Sequence, residues 1–409
     1  MDQIAIQSVI EQFAWILLGA AIIGMVAQRI GVSYEIALVL AGLAVAQSDL
    51  IDLPRLDPGL LLLAFLPPLL FDASFRLDAR ELRLVARPVL MLAVPGVLIS
   101  ALAVGGLLWL ILDLPFGTAL LFGSIVAATD PVAVVGIVKK LGLPPRLTVL
   151  AEAESLINDG MAITIYTAVI GYAVSGHLDS FEIGRIFGQE VVVGLLIGAV
   201  VGFLGARLTG QIDDPLIEMT LSTVLAYGSF LLADSVHASG PLACVATGLI
   251  HGSYGRAFGM SRRTSEHLDL LWEYLGFLAN AIVFLLVGFT VDLGELVDEG
   301  WPVAVAVVAV VAVRAVVVRL MTPRAGVAGV PAWKERLVLT WAGLRGALTI
   351  ALALGLPAAT PHRDQIIAMA FGVVLFTLIV QGLSLPILLR HLGFGRATRG
   401  AIARVKASN

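Results

Sequence analysis

Four oxygen-bearing side chains, Glu154, Ser155, Asn158 and Asp159, fall in one otherwise apolar run that reads ESLINDG. At helical spacing, Ser155 and Asp159 are four residues apart and share a face, and Glu154 with Asn158 forms the adjacent stripe. A charged side chain at bilayer depth costs several kcal/mol, so an acid there faces a cavity or a partner and marks an ion or proton path. Asp159 and Ser155 offer hard oxygen ligands suited to a small alkali cation, and Thr129, in the preceding apolar run AATDPVAVV, adds a hydroxyl or a carbonyl. Because burial disfavours the bare carboxylate, proton and cation compete for Asp159.

The neighbouring residues have other expected tasks. Asp130, at a helix break beside Pro131, neutralises a half-helix dipole and accepts hydrogen bonds from exposed amides. Asn158 supports Asp130 without adding charge. Gly343, Arg345 and Gly346 place two glycines and a cation at the matching depth of a later run, predicting a second break in which Arg345 neutralises half-helix C-terminal ends. Glu154 needs a cationic partner, and Arg314, alone in VAVAVVAVVAVRAVVVR, has the same need, so the two are expected to pair. The competing reading is that Arg314 snorkels with Arg319, about 7 Å along the helix axis. Asp72 in LPPLLFDASF either approaches the site or faces an inner funnel, and Glu152 is a candidate for the inner entrance, which a solvated helix end explains equally well.

The elements that position these groups follow from composition. The 409 residues are 59% hydrophobic and 14% charged, with mean hydropathy +0.97, outside the range of soluble globular proteins. Stretches of about 20 apolar residues predict an all-α polytopic membrane protein with thirteen spans. They lie near 8–28, 33–47, 59–75, 88–112, 116–138, 147–174, 187–208, 215–235, 239–254, 268–291, 301–321, 335–356 and 365–389. Lys and Arg test this reading, because they collect in cytoplasmic loops. On it, 21 of the 26 fall on one side, three on the other and two within spans, which places the N-terminus outside and the C-terminus inside a cell membrane. The acidic start MDQIAIQSVIEQ predicts no cleaved signal peptide, and the lone Cys244 excludes an intramolecular disulfide.

One membrane domain is expected over 1–389, followed by a short basic cytoplasmic tail at 390–409. Its halves, about 8–174 and 215–389, read as inverted repeats joined by a linking helix near 187–208, with crossed discontinuous helices at the fifth and twelfth spans.

The motifs LPPLLFDA, ATDPVAVV, ESLINDG, the isolated Arg314 and GLRGAL occur in an order that closely resembles the monovalent cation:proton antiporters of the sodium/proton exchanger type. The resemblance is to the bacterial electroneutral branch and its animal relatives, and it covers nearly the whole chain. It implies exchange of sodium or lithium for protons, one for one, by elevator-like alternating access in a homodimer with a core bundle and a dimerisation bundle. It implies Asp159 as the exchanging carboxylate, with Asp130, Asn158, Thr129 and Ser155 around it, Glu154 paired with Arg314, and Asn at position 158 as the mark of electroneutrality. Relatives often carry a glutamate at position 72, where this chain has the shorter Asp72, and no counterpart of the regulatory tail of the animal relatives is expected.

Sodium and protons are the expected substrates and the bilayer the expected partner, with no cofactor and no nucleic acid. Potassium in place of sodium is the alternative within the same mechanism, since hard oxygens alone do not set selectivity. A channel needs a continuous pore, which broken helices beside a titratable acid do not suit. An intramembrane aspartyl protease built on Asp130 and Asp159 lacks the GxGD signature, and Ser239 with His251 is only a weak serine-protease mimic. The five other histidines lie in loops or at span ends.

Overall fold

The computed structural model describes residues 3–30, 32–47, 58–130, 134, 143–175, 180–291, 293–322 and 330–394. Every predicted span is helical over most of its described part, the fifth and twelfth being interrupted, and no strand occurs among the described residues. The long helices are α1 (Gln3–Ile30), α2 (Tyr34–Ala46), α3 (Pro58–Arg76), α4 (Ala79–Leu112) and α5 (Phe116–Ile125). Next come α6 (Pro145–Ser175), α7 (Ser180–Thr209) and α8 (Pro215–Ser235). Then follow α9 (Gly240–Ile250, prolonged by a π-helical turn at His251–Gly255), α10 (Arg262–Thr290) and α11 (Gly300–Met321). The twelfth span is two pieces, α12a (Ala332–Trp341) and α12b (Ala347–Leu354), and α13 (Arg363–His391) closes the series.

Six of the described helices are long and apolar enough to cross a membrane by length and composition alone. The 31-residue α6 is not among them, and it carries the polar residues Glu152, Glu154, Ser155, Asn158 and Asp159. The helix that carries the polar stripe thus departs from the bilayer's composition rule, and it does so in the interior: Glu154 is 2% exposed and Asn158 is fully buried.

Capping fixes several helix starts. The Asp214 side chain accepts from the Leu216 and Ile217 amides at the head of α8, and the Ser261 hydroxyl accepts from Thr264 at the head of α10.

The helices pack as two bundles. α10 lies against α2 and α3, α9 against α3 and α7, and α8 against α7 and α9. In the other bundle α5 and α6 pack on α4 and on each other, α11 on α4 and α13, and α12b on α13. Contacts between the bundles run mainly through α6 with α7 and α9, and through α12b with α3 and α10. The buried apolar side chains of the second bundle, among them Leu121, Phe122, Ile125, Leu150, Val318 and Met369, surround the two interrupted helices.

Candidate ion site

The first interruption starts earlier than proline chemistry predicts. α5 ends at Ile125, the chain turns at Val126 and Ala127, and 128–130 have left the helix; Pro131 itself lies outside the described residues. Leaving the helix strips Thr129 and Asp130 of their helical hydrogen-bond partners, and buried backbone groups must find others. Thr129 finds them on α6. Its amide donates to Asn158 Oδ1 at 3.2 Å, its carbonyl accepts from the Ser155 hydroxyl, and its own hydroxyl accepts from Asn158 Nδ2 at 2.7 Å. The Asp130 amide turns the other way and donates to the Leu344 carbonyl at 2.8 Å.

This arrangement differs from the sequence expectation for Asn158. Its Nδ2 donates both to Thr129 and, at 3.0 Å, to Glu154 Oε1, so both amide hydrogens are used and none is left for the Asp130 carboxylate. The cause is the non-helical backbone. Successive side chains there leave in different directions, and Thr129 faces α6 while Asp130 faces α12.

Glu154 and Arg314 meet as a two-pronged pair, with Nη1 to Oε1 at 2.9 Å and Nη2 to Oε2 at 3.0 Å. Arg314 Nη2 also donates to the Leu339 carbonyl at 3.2 Å, so the arginine ties α6, α11 and α12a together. At 2% and 7% exposure the two groups are desolvated, and only this geometry with its extra hydrogen bonds makes the charges tolerable. A cavity of about 10 Å³ lies against Glu154, Ser155, Thr129 and Arg314, on the order of one water.

The second interruption spans 342–346. Its glycines give clearance as well as a break. A methyl group on Gly343 would stand 2.9 Å from Arg314 Nε, and one on Gly346 would overlap the Asp130 carboxylate. Each glycine therefore admits a charged side chain from another helix to the backbone of the twelfth span. The Arg345 amide donates to the Thr377 hydroxyl of α13 at 3.0 Å. Its guanidinium is buried, near the charges of Arg314, Glu154 and Asp159, and its Nε and Nη1 make no hydrogen bond among the described residues.

Asp159 follows Asn158 on α6, within the fields of Asp130, Glu154 and Arg345. Its carboxylate makes no hydrogen bond among the described residues, whereas that of Glu154 is held by Arg314 and Asn158.

Asp72 is engaged elsewhere. Its carboxylate accepts from Arg76 Nε at 2.5 Å, and Arg76 reaches on to the Asp269 carbonyl at 2.9 Å and Glu273 at 3.5 Å, in a polar cluster where α3 meets α10. Glu152 is half-buried on α6, two residues before Glu154. Ser239 and His251 do not form a hydrolytic pair. Ser239 caps the start of α9 and accepts from Thr164 at 3.1 Å, while His251 lies about 18 Å along the same helix beside Phe71 and Phe75.

Sequence reasoning missed three groups: the Leu344 and Leu339 carbonyls and Thr377. Every residue has a carbonyl, so nothing marked the first two. Thr377, a lone hydroxyl in VVLFTLIV, did carry a signal.

The chain matches the family described as sodium/hydrogen exchanger, transmembrane, over residues 16–391. It is 38% identical over 407 residues to the Na(+)/H(+) antiporter ApNhaP of Aphanothece halophytica, covering 96% of this chain and 77% of that one. It is 36% identical over 420 residues to the Na(+)/H(+) antiporter NhaG of Bacillus atrophaeus, covering 98% and 78%. Its fold matches the solved structure of the sodium proton antiporter MjNhaP1 from Methanocaldococcus jannaschii with a TM-score of 0.78 at 20% identity, over 95% of this chain and 99% of that one.

Proposed function

The chain belongs to the sodium/hydrogen exchanger family, and from that premise we infer that it is a multi-pass secondary antiporter exchanging sodium, or lithium, for protons. The exchanging group is Asp159. One observation carries that assignment: Glu154, Ser155, Asn158 and Thr129 are bound to one another or to Arg314, and the Asp159 carboxylate beside them makes no hydrogen bond among the described residues. Of the two acids in the polar stripe of α6, it is the one left to take a cation or a proton.

Ser155, one helical turn before Asp159 and bonded to the Thr129 carbonyl, and the Thr129 turn that Asn158 holds are the oxygen donors for a cation at Asp159. Asn158 adds no charge, so one acid binds one sodium or one proton, and the cycle moves no net charge. Asp130, Arg345 and the two interruptions supply a framework of fixed charge and backbone dipoles around it.

Alternating access follows from where the parts are carried. α5, α6, α11 and α12 belong to one bundle, so the site can travel as a body past α3, α7, α9 and α10, in an elevator-like step. Among the described residues two side-chain hydrogen bonds cross this boundary beyond Asp159 on α6, Thr164 to Ser239 at 3.1 Å and Thr167 to Glu190 at 3.4 Å. The Lys and Arg asymmetry supports a cell-membrane orientation with the N-terminus outside and the C-terminus inside. Inverted repeats and a homodimer complete the reading.

Proteoliposomes with an imposed sodium gradient and an internal pH dye test it. Sodium-driven alkalinisation or acidification that is insensitive to a clamped potential is the expected result; absence of coupled proton movement overturns the assignment. The same assay with lithium and potassium decides the cation.

A further inference from the structure

We propose that Thr377 is a positioning residue for the cation site, holding the twelfth-span break in the place that lets it support the fifth-span break; the inference rests on the antiport reading above. A threonine inside an apolar helix ordinarily hydrogen-bonds a carbonyl one turn back in its own helix. Thr377 does this, donating to the Val374 carbonyl at 3.1 Å, and it does something more. Its oxygen accepts the Arg345 amide at 3.0 Å, and the residue is 1% exposed. The Arg345 amide lies outside any helix and away from water, so without this hydroxyl it needs another acceptor.

The consequence reaches the site in a short series of bonds. Leu344, the residue before Arg345, offers the carbonyl that receives the Asp130 amide at 2.8 Å. Thr129, the residue before Asp130, presents its carbonyl to Ser155 and its hydroxyl to Asn158, next to Asp159. Each break is thus anchored by side chains of the helix that follows it: α6 supplies Ser155 and Asn158 for the first, and α13 supplies Thr377 for the second. Thr377 also opens the π-helical turn Thr377–Gly382, a local departure from α-helix of the kind found at functional sites.

If the hydroxyl acts through this series, its loss must loosen cation binding. The test compares wild type, Thr377→Val and Thr377→Ser in proteoliposomes across a sodium titration. Thr377→Val keeps the shape and removes the hydroxyl; it is expected to raise the half-saturating sodium concentration about tenfold, the equivalent of one hydrogen bond worth about 1.4 kcal/mol. Thr377→Ser restores the oxygen and is expected to stay within about twofold of wild type. An unchanged half-saturating concentration in Thr377→Val, or an equal fall in maximal rate in both variants with sodium affinity intact, overturns the proposal. Sodium-dependent thermal stabilisation of the purified full chain repeats the comparison without transport: loss in Thr377→Val alone supports it, and loss in both or neither refutes it. A wild-type protein without sodium-driven proton movement would instead refute the antiport reading itself.

Discussion

The amide of Asp130 and the carbonyl of Leu344, which belong to different interrupted helices in opposite halves of the chain, form a 2.8 Å hydrogen bond at the point where the two breaks meet. The bond spares two backbone groups that leaving the helix would have stranded in the interior. It also makes the breaks interdependent, since neither can shift without freeing the other's polar group. The chemistry beside this joint, on α6, is therefore held from both sides.

Asp159→Asn keeps size and insertion and removes the titratable group. Exchange is expected to fall at least about a hundredfold, the scale on which a single essential proton-transfer group acts, with unchanged protein yield and gel-filtration profile. Normal countertransport in that variant would exclude Asp159 as the exchanging acid.

Breaking the Glu154 and Arg314 pair should be a stability lesion first. Arg314→Leu leaves a buried carboxylate without its cation and is expected to cost about 3–5 kcal/mol, whereas Glu154→Leu with Arg314→Leu should recover much of that loss. Apparent thermal unfolding in detergent reads both; a double variant less stable than either single one would show that the pair is not the source of the cost.

The twelfth-span glycines should fail for different reasons. Gly346→Ala drives a methyl into the Asp130 carboxylate and is expected to lower the exchange rate, while Gly343→Ala pushes on Arg314 and is expected to lower stability, each by about 1–3 kcal/mol of overpacking. Parallel transport and unfolding measurements separate the two. Equal effects on both properties in both variants would count against separate roles.

Asn158→Asp adds a second acid beside Asp159 and takes away the donors to Thr129 and Glu154. The expected outcome is slower exchange that becomes sensitive to membrane potential, read as rate against clamped voltage in proteoliposomes. A rate still flat with voltage would argue that charge stoichiometry is set elsewhere.

Much of the site was legible because its residues are anomalous where they stand. Ser155, Asn158 and Asp159 in α6, and Arg314 in a run of valine and alanine, are polar groups that a membrane interior does not tolerate without a reason. Asp72 shows the limit: the same anomaly left it between site and funnel, and Arg76, one helical turn away, takes its carboxylate into a cluster with α10.

By itself the sequence determined which stretches form apolar helices and which polar groups stand inside them. Hydropathy, charge placement and helical spacing are local properties that the bilayer reads residue by residue. Only the tertiary structure decided who pairs with whom. Asn158 binds Thr129 rather than Asp130, Gly343 and Gly346 make room for Arg314 and Asp130, and the Leu344 carbonyl and the Thr377 hydroxyl close the two breaks. The reason is physical: a helix leaving its own hydrogen-bond ladder must be satisfied by whatever crosses it, and what crosses it is set by packing, not by neighbours in the chain.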